Sequence, residues 1–234
     1  MSTGNAARSN FGHSSSLQPG DLVGENYRII DFIGEGAMGK VYRAKHELMP
    51  REYALKILNE RDITENSWRR FQVEAQAIAR LSHPNVVTIY NLGVHNGTLP
   101  YYVMDLLDGE TLYDRLNREE NLEYKDALPL FMETCDGLGY AHKKGIVHRD
   151  IKPQNIVILK QQENGAIVRI VDFGIAKLAE TKDPKNQMLT QMGEVFGTPF
   201  YMSPEQSMGE RVDGRSDIYS LGCTLYETLC GTPP

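Results

Sequence analysis

The stretch HRDIKPQN places Asp150, Lys152 and Asn155 within six positions, bringing together a candidate base, a fixed cation and a neutral oxygen ligand. The apolar segments GIV and IVIL on either side read as buried strand, so the polar mixture sits on a tight loop suited to chemistry on an anion. VDFG sets Asp172 at the end of another apolar strand; with Asn155 it offers hard oxygen ligands of the kind Mg²⁺ prefers. YALK ends at Lys56 in an otherwise apolar strand, and Glu74 sits on a predicted helix between Val73 and Ala75. As a pair, Glu74 keeps a partly buried lysine charged and aimed at phosphates. Read separately, Lys56 snorkels and Glu74 is a solvated helix charge.

The stretch GEGAMGKV, Gly34 to Val41, fits G-x-G-x-x-G-x-V. Its glycines permit a sharp turn and let backbone N–H groups approach phosphate oxygens. A dinucleotide fingerprint needs a helix directly after the last glycine, whereas KVYRAKHE is β-branched and aromatic and reads as a strand. A plain hairpin is the other reading of this loop. Taken with Asn155 and Asp172, the expected anion is a nucleotide polyphosphate with its metal.

These groups need elements to hold them. YRIIDFIG, KVYRAKHE and REYALKIL read as strands, followed by a helix over SWRRFQVEAQAIARLS with Phe71, Ala75, Ile78 and Leu81 on one face. NVVTIYNLGV and LPYYVMDLL read as two strands joined by an Asn-Gly hairpin turn in HNGT. After DGE the chain becomes mainly helical, through TLYDRLNRE and YKDALPLFMETCDGLGYAHKKG, with Gly145 as a stop. Short strands are expected at IVH, IVILK and AIVRIVD, the last two joined at Asn164-Gly165. A long irregular stretch from Gly174 to about Met208 precedes a final helix, SDIYSLGCTLYETLCG, where Asp217 is a candidate N-cap. Irregular stretches of this length inside a compact domain are usually functional. Two lobes with a cleft between them follow from this order.

Composition sets the outer bounds. The chain has 234 residues, 41% hydrophobic and 24% charged, with net charge −6, which argues against nucleic acid as the main partner. Cys135, Cys223 and Cys230 lack metal-ligand spacing and read as buried thiols in a reducing compartment. No run approaches the roughly 18 apolar residues of a membrane helix, and no secretion signal opens the chain. The expectation is a soluble, cytoplasmic chain with no membrane contact of its own, or the cytosolic part of a longer membrane-anchored protein. Residues 1–20, rich in Ser, Asn and Gly, read as a disordered arm.

The glycine loop, Lys56, Glu74, H-R-D-x-K-x-x-N, D-F-G and SPE occur in the order and spacing of the eukaryotic-like (Hanks-type) serine/threonine protein kinases, which the chain resembles from about Tyr27 to Pro234. GAMGKVYRA, GTPFYMSPEQ and DGRSDIYSLGCTLYE resemble the bacterial branch. The resemblance implies an α+β, two-lobed fold: a small antiparallel β-sheet lobe with one key helix over 21–107, and a mainly helical lobe over 108–234. It also implies that this second lobe is incomplete. Glu205 in the family pairs with an arginine in a later helix, and the sequence ends at GTPP.

By the same resemblance, Ile33, Gly34, Glu35, Gly36, Ala37, Met38, Gly39 and Val41 cover ATP, and Ala54 with Val157 sandwiches the adenine. Met104 takes the gatekeeper position and Asp105 to Leu107 the hinge. Lys56, fixed by Glu74, holds phosphates; Asn155 and Asp172 bind Mg²⁺; Asp150 receives the substrate hydroxyl proton; Lys152 steadies the γ-phosphate. Protein Ser/Thr hydroxyls are the implied acceptors, with Thr198 contacting Asp150 and Lys152. Thr190 is the first candidate for activation-loop phosphorylation and Thr181 the second, with Arg149 and Lys177 as a phosphate pocket and a homodimer as a route to autophosphorylation. His148 and Phe173, stacked with Ile78 and Ile89, form an apolar column, and Asp217 anchors the His148–Arg149 loop. A non-catalytic nucleotide-binding scaffold and a small-molecule phosphotransferase are the alternatives. Intact Lys56, Asp150 and Asp172 count against the first, and GTPFYMSPE against the second.

Overall fold

The computed structural model describes residues 17–36, 39–58, 72–73, 75–163, 166–174 and 199–234. Ala37, Met38, Phe71, Glu74, the Asn164-Gly165 turn, Lys177, Thr181, Thr190 and Thr198 lie outside the described residues, as do positions 1–16 of the expected arm. Residues 17–20, also assigned to the arm, are tied to the first lobe. Leu17 packs against its core, and the Gly20 N–H donates to the Ile29 carbonyl at 2.9 Å.

The first lobe is built on an antiparallel sheet of β1 (Leu22–Val23), β2 (Tyr27–Gly36), β3 (Gly39–His46), β4 (Glu52–Leu58), β5 (Ile89–His95) and β6 (Leu99–Asp105), in the order β1-β2-β3-β4-β6-β5. Side chains alternate across a strand, and β4 buries both faces. Tyr53, Leu55 and Ile57 join one apolar cluster with Tyr101 and Val103 of β6. Ala54 and Leu58 join another with Tyr102 and Met104. Lys56 falls in this second row, so the period of the strand turns it towards the interlobe side. Asn96 and Gly97 both have positive φ, 51° and 76°, as the turn between β5 and β6 requires. Residues 75–79 are helical, and Ala75, Ile78 and Leu81 are buried as expected.

The second lobe contains β7 (Gly109–Thr111), α1 (Leu112–Glu119), α2 (Tyr124–Lys143), β8 (Ile156–Glu163), β9 (Ala166–Ile170), α3 (Pro204–Ser207) and α4 (Gly214–Cys230). Strands β7, β8 and β9 form a second, three-stranded sheet. Thr111 starts α1 with a capping box: its hydroxyl accepts the Asp114 N–H, and the Asp114 carboxylate accepts the Thr111 N–H. The core cluster containing Ala75, Ile78 and Met104 also contains Leu138, Ile151, Phe173 and Leu221, so one apolar core runs through both lobes.

Glu133 of α2 ties the lobes at one point. Its Oε2 accepts the Asn85 side-chain amide at 2.7 Å and the backbone N–H groups of Ile167 and Val168 at 2.9 and 3.0 Å. The Asn85 carbonyl in turn accepts the Ile170 N–H at 2.9 Å.

Three further points differ from the sequence reading. IVH (146–148) is not a strand: the Ile146 N–H donates to Ala141 at the end of α2, and the His148 N–H to the Asp217 carboxylate. Strand β7 is an addition, formed because Gly109 to Thr111 pairs with Val157 to Leu159. Of the cysteines only Cys223 is buried; Cys135 is exposed because Phe131, Thr134, Leu138 and Ala141 take the inward face of α2, and Cys230 is exposed at the end of α4.

Candidate active site

Asp172 is the point where the lobes meet chemically. Lys56 Nζ lies 2.5 Å from its Oδ2, and the Tyr102 hydroxyl donates to Oδ1 at 2.5 Å. Lys56 and Tyr102 face each other across the β4–β6 ladder, which brings both side chains to the same carboxylate. Burial pushes the Asp172 carboxyl up, but the Lys56 charge and the bonds from Lys56 and Tyr102 outweigh it and hold the group below the usual carboxylate range. Burial first, then the neighbouring Asp172 charge, holds the Tyr102 phenol well above its usual range, so it stays an O–H donor. The backbone at Asp172 is left-handed, with φ 58°, a cost that sites of function commonly carry.

The loop after α2 supplies the second group of residues. Lys152 Nζ lies 2.8 Å from Asp150 Oδ2. The Asn155 side-chain amide donates to the Asp150 carbonyl at 2.6 Å and to its carboxylate at 3.1 Å. Its nitrogen is thus spent on Asp150, leaving the amide oxygen as the ligand-type atom. The Val171 N–H donates to the Asn155 carbonyl at 3.0 Å, which sets Asn155 beside the residue preceding Asp172. A carboxylate and an amide oxygen fit Mg²⁺, which usually takes one or two protein ligands and completes its shell with phosphates and water.

Buried supports fix this loop. Asp217 accepts the His148 N–H at 2.8 Å, the Arg149 N–H at 2.7 Å, and contacts His142 Nε2 at 2.7 Å. The N-cap of α4 is Asp213, which leaves Asp217 to the loop, as the resemblance implies. The His148 ring accepts the Asp150 N–H at Nδ1 and so carries its proton at Nε2, which donates to the Val171 carbonyl at 2.9 Å. Burial, opposed by the Asp217 charge, lowers the His148 pKa and favours the neutral ring. Its ring packs on Phe173 with centroids 4.5 Å apart, and Phe173, Ile78 and Ile89 share the central cluster. The Gln206 amide donates to the Arg149 carbonyl at 2.9 Å, tying the start of α3 to the same loop. The Glu205 carboxylate accepts the Ser216 hydroxyl.

Above this floor, Ala54, Met104, Val41 and Leu107 line or adjoin the interlobe cluster, and Val157 is half-buried on β8. Ile33 is exposed at the end of β2, where Gly34 pairs with Val41, Glu35 with Lys40 and Gly36 with Gly39. Gly39 is at φ 149°, and a side chain there would meet the Ile57 carbonyl at 2.0 Å, so the glycine is required. The Asp105 carboxylate turns to the outer face, where it meets Arg51 at 2.6 Å and the Tyr90 hydroxyl at 2.7 Å.

Sequence reasoning missed Tyr102. A tyrosine in an apolar strand reads as core, and only the position opposite Lys56 could have marked it.

The family profile described as protein kinase domain matches residues 27–234. The chain belongs to that family. The serine/threonine-protein kinase PknB of Mycolicibacterium smegmatis is 42% identical over 217 residues, covering 91% of this chain and 33% of the relative. The serine/threonine-protein kinase pkn3 of Myxococcus xanthus is 37% identical over 216 residues, covering 92% and 39%. The crystal structure of the Mycobacterium tuberculosis PknI kinase domain superposes with a TM-score of 0.75 at 30% identity, covering 94% of this chain and 78% of that one. The fold is therefore the two-lobed α+β fold of protein kinases. The chain spans about a third of the length of the PknB relative. Among the described residues no helix is long and apolar enough to cross a membrane.

Proposed function

We propose that this protein kinase domain transfers the γ-phosphate of ATP to serine and threonine hydroxyls of proteins, its own activation loop included. The observation that carries the reading is the junction at Asp172. A lysine from the first lobe meets a carboxylate from the second, beside the Asp150–Lys152–Asn155 group.

Phosphoryl transfer needs alignment and charge neutralisation more than covalent chemistry. Lys56 grips phosphate oxygens, with Glu74 as its second anchor. Asp150, held by Lys152 and Asn155, receives the proton of the attacking hydroxyl. Lys152, already 2.8 Å from that carboxylate, stabilises the transferring group. Asn155 and Asp172 would hold Mg²⁺, whose charge neutralises that developing on the phosphates. Ala54, Val157, Met104 and the backbone of Asp105 to Leu107 seat the adenine. Thr190 first and Thr181 second are the modification sites, and a homodimer is the arrangement for modification in trans.

Transfer of label from γ-labelled Mg-ATP to the chain and to a basic protein tests this. Label with the parent, absent with both Asp150→Asn and Asp172→Ala, supports the reading. A folded, nucleotide-binding parent that transfers no label sinks it.

A further inference from the structure

Tyr102 is only 2% exposed and part of the central cluster, so its hydroxyl is shut off from bulk water. A buried O–H without a partner costs about 1–3 kcal/mol, so this hydroxyl selects a pose for its neighbour. The acceptor is Asp172 Oδ1, while Lys56 occupies Oδ2. The two donors are not equivalent. Lys56 is a long flexible cation suited to following phosphates. Tyr102 is a rigid aromatic on the middle of β6, packed on all sides, and cannot follow a ligand.

We propose that Tyr102 is a positioning residue for the metal ligand: its hydroxyl fixes the Asp172 carboxylate so that one oxygen remains turned towards the nucleotide site when Lys56 passes to the phosphates. The bond replaces rotational freedom of the carboxylate with one orientation. It does so at a residue whose left-handed backbone already needs outside support. Partners behind a metal-binding carboxylate typically change metal affinity by about 10–100-fold. The inference rests on the proposed role of Asp172 as a metal ligand.

The test is ATP binding by calorimetry, in excess EDTA and at stepped MgCl₂, for the parent, Tyr102→Phe and Tyr102→Leu. Tyr102→Phe removes only the oxygen; Tyr102→Leu removes the donor with a different packing change. Both are expected to bind ATP in EDTA within about twofold of the parent, and to lose about tenfold of the affinity gained from Mg²⁺. In the Asp172→Asn background, Tyr102→Phe should change neither arm. A purely structural tyrosine would shift the EDTA and Mg²⁺ arms together. An equal loss in both arms, or an unchanged Mg²⁺ gain in either variant, overturns the inference while the kinase reading stands. A folded parent whose ATP affinity ignores Mg²⁺ overturns both.

Discussion

Asp217 Oδ1 accepts the backbone N–H of Arg149 at 2.7 Å, joining residues 68 positions apart. Arg149 has φ 67°, a left-handed backbone that a non-glycine residue keeps only when its surroundings enforce it. The Asp217 side chain is 1% exposed and also receives the His148 N–H, so one carboxylate sets the shape of the loop that ends in Asp150. Asp217→Ala leaves these buried donors unpaired. The expected cost is about 3 kcal/mol in urea unfolding, with a fall in kcat larger than any change in the ATP KM. An Asp217→Ala protein with parental kcat would show that the loop holds its shape without the carboxylate.

The sign of the His148 effect follows from its lowered pKa. Below the ordinary imidazole value of 6.5, the unfolded chain takes up a proton that the folded chain refuses until a lower pH. Stability attributable to His148 therefore falls as pH drops through 6.5 and levels off once the folded ring titrates. Unfolding free energies from pH 8 to pH 5 should show this slope, and His148→Phe should flatten it. Parallel curves for the two proteins would contradict the neutral buried ring.

Lys56→Met removes the cation from a carboxylate whose side chain is 21% exposed. Breaking a buried pair leaves an uncompensated charge; with partial exposure the expected loss is about 2–3 kcal/mol. Phosphoryl transfer should fall at least about 100-fold. Asp172→Asn added to Lys56→Met should recover part of the stability and none of the activity, since the stranded charge is then gone. Further destabilisation in the double variant would disprove the pairing.

Gly39→Ala places a methyl group against the Ile57 carbonyl at an unfavourable φ. The strain, about 1–3 kcal/mol, falls on the β2–β3 turn. Weaker ATP binding by at least tenfold is expected, with far-ultraviolet circular dichroism unchanged. Parental affinity would remove the turn from the nucleotide site.

Much of this was legible in the sequence, for reasons that differ by element. The apolar run of β4 and the spacing of Ala75, Ile78 and Leu81 follow from burial alone, so local pattern sufficed. Asn96-Gly97 carries its own backbone preference. By contrast, Ile146 to His148 have strand-like composition, yet their donors go to α2 and to Asp217, a partner far away in the chain. The three residues of β7 are too few to show a period, and their partner strand lies after α2. The motifs located Lys56, Asp150, Lys152, Asn155 and Asp172 in the chain. Which of them touch, and that Tyr102 stands among them, depends on β4–β6 register and on the fold of the loop. Non-local partners of that kind leave no periodic trace.

Glu133 holds both Asn85 and the start of β9. The segment leading out of the first-lobe helix is thereby riveted to the strand that runs into Asp172. If the lobes part to admit or release a nucleotide, the rivet acts as a fulcrum: the sheet swings like a raised roof while the floor carrying Asp172 stays level. Any travel is then smallest beside the rivet, on the strand that leads into Asp172. Exchange of nucleotide would not require the floor to be rebuilt at each cycle.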